Sequence, residues 1–294
     1  MSNNINFSDF RYDGSKKFLL KKQKTVIDPF YKDKKDYKKQ LKATRREIGE
    51  RQNMMYAHNR FGMLVIFQAM DAAGKDSTIY HTLSGVNPHG LLVTPFKRPS
   101  DTELDHDFLW RTNREMPARG QLKVFNRSYY EEVLVVRVHP EILTKYQRIP
   151  KALVEYPEQV WQQRYEDIRN VESYQHRNGI PVIKFFLNVS KDEQRQRFID
   201  RIDEPNKNWK FAAGDVDERG YWDDYMHAYE DAINATATPH APWYVIPADD
   251  KFNMRLIVGR IISHHMHELE MAYPQLAENE LAELVGFKQQ LLDE

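Results

Sequence analysis

Met63 to Phe67 is an apolar run that passes at once into small residues ending in Gly74-Lys75, then into Asp76-Ser77-Thr78, where a helix can begin. Strand, Gly-Lys loop and helix in that order form a phosphate-binding loop. No other feature constrains the chain as much. Backbone N–H groups at a helix N-terminus, with one lysine beside them, make a ready anion site. One residue is out of place for an ordinary loop of this kind. Asp71 sits inside it, and a carboxylate next to bound phosphates repels them unless a cation lies between. The loop therefore points to phosphate chemistry with Mg²⁺ held partly by Asp71. The string is also imperfect: Ala69 replaces the usual first glycine and Asp76 the usual Ser/Thr. Alone, it is compatible with a chance Ala-x-x-x-x-Gly-Lys at a strand–helix junction.

The rest of the chain supplies a framework for that loop. Residues 1–32 read as an irregular basic arm, and Lys34 to His58 as one long helix. Apolar runs at Met63–Phe67, Leu91–Val93, Leu122–Phe125, Val182–Leu187 and Trp243–Ile246 read as five strands. Helices are expected at about 76–84, 105–114, 157–178, 191–202, 221–234, 252–269 and 276–292. Strands alternating with helices predict an α/β fold with a parallel sheet. We divide the chain into the arm and helix (1–60) and a kinase-like domain (61–294) that includes a lid at about 191–230. Strand ends in such sheets face the ligand crevice. Asp71, Lys75, Asn126 and Arg127 are thus expected at neighbouring strand ends.

Composition narrows the function classes. The 294 residues contain no cysteine, which excludes disulfides and Cys-zinc sites. No stretch approaches the roughly 18 apolar residues of a membrane helix. The N-terminus lacks an apolar signal segment, so a cytoplasmic location without membrane association is expected. Net charge is zero but uneven: residues 1–60 hold 16 Lys/Arg against 7 Asp/Glu, and residues 261–294 hold 1 against 7. Solvated helix faces account for such asymmetry, as does a basic wall that attracts a polyanion. No motif makes that polyanion a nucleic acid.

Several segments, taken in order, resemble the polyphosphate kinase 2 family. They are Ala69–Lys75, Gly85-Val86-Asn87-Pro88, Leu104–Arg111, Phe125-Asn126-Arg127-Ser128-Tyr129-Tyr130-Glu131, Lys207–Phe211, Tyr221–Tyr225 and Ala241–Lys251. The resemblance implies a thymidylate-kinase-like P-loop fold with a five-stranded parallel sheet, flanking helices and a helical lid. It implies reversible transfer of a terminal phosphoryl group from inorganic polyphosphate to a nucleotide, with Mg²⁺ or Mn²⁺ in its place. Asn126, where other branches carry Asp, and Met70-Asp71 resemble the third class, associated with both AMP and ADP as acceptors and ATP as a product. A homo-oligomer, dimer or tetramer, is expected.

On this reading Gly74, Lys75, Asp76 and Ser77 bind polyphosphate. Asp71 and Asn126 hold metal, and Arg127 neutralises the transferring group. Arg197, Arg201, Lys207 and Lys210 line a basic lid, the first two sharing a helix face. Lys97, Arg98, Asp101, Asp107, Asn126 and Glu131 serve the nucleotide. Each has a plainer alternative: Asp71 as a helix cap, Arg127 in a structural salt bridge, Asn126 as a loop amide, the lid as a solvated basic helix. His264, His265 and His267 read as a surface cluster rather than a metal site. Trp209, Trp222 and Trp243 read as packing. Two rival functions stay open, an ATP-dependent nucleotide kinase of the same fold and a non-enzymatic polyanion-binding module.

Overall fold

The computed structural model describes residues 5–211 and 214–294. In chain order the elements are β1 (Arg11–Tyr12), α1 (Lys34–His58), β2 (Met63–Gln68), α2 (Lys75–Leu83), β3 (Leu91–Pro95), α3 (Asp101–Leu104), α4 (Trp110–Asn113) and β4 (Leu122–Asn126). There follow α5 (Val135–Val138), α6 (Glu141–Lys145), α7 (Pro157–Arg177), β5 (Val182–Asn188), α8 (Lys191–Asp203) and α9 (Gly214–Glu218). The chain closes with α10 (Trp222–Thr236), β6 (Trp243–Pro247), α11 (Lys251–Glu268) and α12 (Glu278–Leu292).

The strands form one sheet in the order β1-β6-β5-β2-β4-β3. β2, β5 and β6 are buried along their whole length, as expected of parallel strands covered on both faces. Pairing is parallel throughout except at β1, which adds an antiparallel edge to β6. This sixth strand corrects the expected count of five. At two residues it is too short to leave an alternating pattern. Its flanks hold it there: Phe10, Tyr12 and Phe18 are buried in the common core. Backbone N–H groups of Phe18 and Leu20 donate to Asn234 Oδ1 (2.8 Å) and Glu230 Oε2 (2.7 Å) on α10. The arm is basic on its outside and aromatic where it meets the body.

α1 has the bounds that its charged, Gly-poor sequence predicts. Asp33 caps it by accepting from the N–H groups of Lys35 and Asp36, and Asn59 ends it in the left-handed region (φ 50°). Its buried seam lies against α11, where a Cβ on Gly259 would stand 3.0 Å from Thr44 Cγ2. Of the expected helix over 105–114 only the four residues of α4 are helical, and a second short helix, α3, precedes the span. Ser100 opens α3 with a capping box, and the Asp107 carboxylate accepts from Leu109 N–H (2.9 Å) to restart the chain. Among the described residues no helix is long and apolar enough to cross a membrane.

Candidate active site

β2 and β4 pair with Phe67 opposite Asn126, so the loop after β2 and the residues after β4 emerge side by side. Asp71, Lys75, Asn126 and Arg127 meet there, lining a cleft of ≈ 620 Å³ with Gly74, Asp76, Ser77, Lys97 and Arg98. Gly74 precedes α2 at φ 105°, a conformation that favours glycine. The first N–H groups of α2 then face the cleft without intrahelical partners.

Lys75 is buried and its ammonium rests on carbonyls of its own loop, Ala69 O at 2.6 Å and Met70 O at 3.4 Å. Burial pushes its pKa down, and the nearby Arg127 adds to this. A desolvated cation holding neutral carbonyls keeps a strong demand for an anion. Arg127 Nη2 binds Asp71 Oδ1 at 2.6 Å, and its Nη1 lies 3.5 Å from Glu131 Oε2. Burial alone would raise the Asp71 carboxyl. Lys75, Arg127 and Arg201 outweigh it and hold the group below its ordinary range, so Asp71 is ionised at neutral pH. Arg127 itself has φ 66°, a strained region for a side-chain-bearing residue. Its backbone N–H donates to Phe67 O (3.0 Å), which fixes that geometry and aims the guanidinium at the loop. Asn126 Nδ2 donates to Asp76 Oδ1 at 2.7 Å.

The lid residues divide. Arg201 faces the cleft, 3.4 Å from Asp215 Oδ2. Arg197, one turn earlier, is turned into the body. Its guanidinium donates to the carbonyls of Ala72, Ala73, Ala248 and Asp249 at 2.6–3.2 Å, and to Glu193. It holds the loop from below. Lys207 is exposed and paired with Glu204 (2.5 Å). Lys210 ends a 3-10 turn, and its side chain lies outside the described residues.

On the nucleotide side, Arg111 Nη1 donates to Lys97 O (2.8 Å), and Arg98 lies over the Tyr146 ring (5.2 Å). Glu131 lines a small side chamber of ≈ 40 Å³ with Arg127 and Tyr229. Asp101 and Asp107 are not brought into the cleft. Asp101 stands in the first turn of α3 and Asp107 caps the turn before α4.

Sequence reasoning missed three contributors. Gln194 Nε2 donates to Asp71 O (2.9 Å), and Arg219 Nη1 to Gln194 Oε1 (2.6 Å). Arg255, from α11, donates to Ser77 Oγ (3.2 Å). Gln194 was findable, since it shares the face of Arg197 and Arg201 at i+3 and i+7. The other two come from distant segments and leave no local signal.

With this geometry in place, comparison with known proteins is decisive. The model of the family described as polyphosphate kinase 2 matches residues 31–275. The chain belongs to the polyphosphate kinase 2 family. It is 51% identical to an ADP-polyphosphate phosphotransferase of Rhodopseudomonas palustris, over 98% of this chain and 99% of that one. It is 46% identical to an AMP/ADP-polyphosphate phosphotransferase of Meiothermus ruber, over 80% and 83% of the two chains. The crystal structure of polyphosphate kinase 2 from Arthrobacter aurescens TC1 superposes with a TM-score of 0.82 at 36% identity, covering 95% of each chain.

Proposed function

We propose that this polyphosphate kinase 2 transfers the terminal phosphoryl group of inorganic polyphosphate reversibly to AMP and to ADP, with Mg²⁺ or Mn²⁺, in the cytoplasm. One observation carries the reading: the buried Lys75 and the Arg127–Asp71 pair share one cleft at the ends of β2 and β4. Lys75, with the first N–H groups of α2, binds the donor's phosphate oxygens. Arg127 meets charge on the group in transit. Phosphoryl transfer depends on such positioning and charge more than on covalent help from the protein. The acceptor phosphate is already ionised at neutral pH, so no strong base is required. Gln194 holds the Asp71 backbone and Arg255 turns Ser77 toward its neighbours, which keeps the loop in register with the cleft.

The donor set fits a metal that arrives with its substrates. Among the described residues no cluster of three or more His, Cys, Asp or Glu stands ready to hold an ion. Mg²⁺ characteristically takes one or two protein carboxylates and completes its shell with water and phosphate oxygens. Asp71 and Asp76 would supply carboxylates and Asn126 its amide oxygen. The ion's contribution there is to neutralise phosphate charge.

The acceptor range rests on Asn126, a neutral amide beside the acceptor, which adds no charge to repel either a mono- or a diphosphate. The names of the two relatives differ on this point, ADP for one and AMP/ADP for the other. Assay with polyphosphate, Mg²⁺ and either AMP or ADP, in the absence of ATP, decides. Both acceptors should be phosphorylated, and Asn126→Asp should change the AMP-to-ADP activity ratio. Turnover only with ATP as donor would establish the ATP-dependent rival, and activity on ADP alone would remove AMP from the acceptor range.

A further inference from the structure

Every residue of α12 is exposed, yet its sequence is not that of a solvated helix. Leu281, Leu284, Val285, Leu291 and Leu292 fall on one face, with Val285 and Leu291 each 70% exposed. Such a stripe in water is an interaction surface lacking its partner.

An open groove of ≈ 1010 Å³ offers a matching surface between the arm, α1 and α11. Phe7, Phe30 and Ala43 give it an apolar lining, and Lys39 and Arg260 stand among its basic residues beside the acidic Asp36 and Glu47. The flanking chain is complementary in charge. Residues 32–46 hold 8 Lys/Arg against 2 Asp/Glu, while residues 268–294 hold 1 against 7.

The molecule's own α12 does not occupy the groove: none of its residues lines it, and all of them are exposed. Beyond α11 the chain follows α1 toward its C-terminal end. Arg51 Nη2 donates to the carbonyls of Met266 and His267 (3.1 Å each), and His58 Nδ1 lies 3.0 Å from Ala272 O. The groove runs back along α1 from Glu47 to Asp36, about 16–33 Å from His58 at 1.5 Å per residue. Ala272 to Glu278 spans at most about 21 Å when fully extended. That reach brings the start of α12 only to the near end of the groove, and in the structure the helix lies outside it.

We propose that the groove receives α12 from a second copy of this chain, with the apolar stripe against its lining and the acidic flank toward the lysines of α1. A two-fold pair would exchange both helices in the same way. The absence of native cysteine makes a clean test with full-length protein. Chains carrying Ala282→Cys and Ala43→Cys, mixed and mildly oxidised, should form a disulfide-linked heterodimer. Its yield should exceed that with the exposed Ala152→Cys by about tenfold or more, because docking raises local thiol concentration toward the mM range. In sedimentation experiments Leu284→Asp, which replaces an exposed residue, should weaken self-association. Four results would each overturn the proposal: no cross-link, equal cross-linking to both positions, Ala282→Cys joining chiefly to itself, or a doubly substituted chain that closes within one molecule at high dilution.

Discussion

Two ionic clusters bracket the sheet, and they are built on opposite plans. Behind β5, Lys184 and Glu172 pair at 2.6 Å with no exposure to speak of. Tyr129 and Tyr130 donate to the same carboxylate (3.0 and 2.9 Å), Lys184 also donates to Thr236 O (2.9 Å), and the Trp243 ring lies 5.4 Å from its ammonium. Burial pushes Glu172 up and Lys184 down, and the partners draw each other back toward the charged forms. At the strand ends, Asp71 and Arg127 form an equally short pair but remain more than a third exposed, with Lys75 beside them on neutral carbonyls. The first cluster is closed and satisfied. The second has cationic capacity left over and an opening through which an anion can reach it. Strong ion pairing alone therefore does not mark a functional site; unmet demand beside a cleft does.

The sharpest way to break the contrast is to cut each cluster once. Glu172→Ala strands a buried ammonium and should cost about 3–5 kcal/mol of folding stability. Chemical denaturation should show that loss, while molecules that remain folded keep near-normal turnover. Lys75→Ala and Asp71→Ala should do the reverse. Each removes an oriented charge from the reacting centre, and turnover should fall by about 10²-fold or more with the fold retained. If either variant stayed active, or if Glu172→Ala abolished chemistry in folded protein, the division between the clusters would fail.

A smaller effect sharpens the same comparison within one helix. Arg197 belongs to the closed plan and Arg201 to the open one. Arg201→Ala should weaken the use of long polyphosphate several-fold with little effect on nucleotide binding, and the difference should shrink with added salt if the contact is exposed. Arg197→Ala should mainly lower stability, since it orphans four carbonyls. Steady-state kinetics at defined chain lengths and two salt concentrations, with a melting curve for each variant, separates them.

How much of this was legible beforehand follows the same line. β2, the loop and α2 were plain because one apolar run meets one Gly-Lys turn. The meeting of Asp71, Lys75, Asn126 and Arg127 followed from the rule that parallel strands end at a crevice. The spacing of Arg197 and Arg201 was visible, but their division was not, because a four-residue interval does not say which side the body occupies. That Asp101 and Asp107 stand at a helix start and a turn was not legible, because caps and ligands draw on the same residue types. β1 was hidden by its length. The short turns between β4 and α7 were invisible because a buried network of Arg164, Glu132 and Gln147 organises them, with Arg164 Nη2 donating to Gln147 Oε1 at 2.7 Å. Contacts of that kind cross the chain and leave no period in it.

The inward turn of Arg197 also has a kinematic consequence. Its bonds to Ala72, Ala73, Ala248 and Asp249 rivet the middle of α8 to two separate loops of the sheet. Hydrogen bonds to a charged group contribute about 1.5–3 kcal/mol each, so swinging the whole helix would mean breaking several at once. The last turn of the helix lies past this rivet, and there Arg201 reaches Asp215 across the mouth of the cleft. A displacement of Arg201 that spares those bonds is therefore confined to the single turn past Arg197, and the separation between that rivet and the loop that holds Lys75 stays fixed.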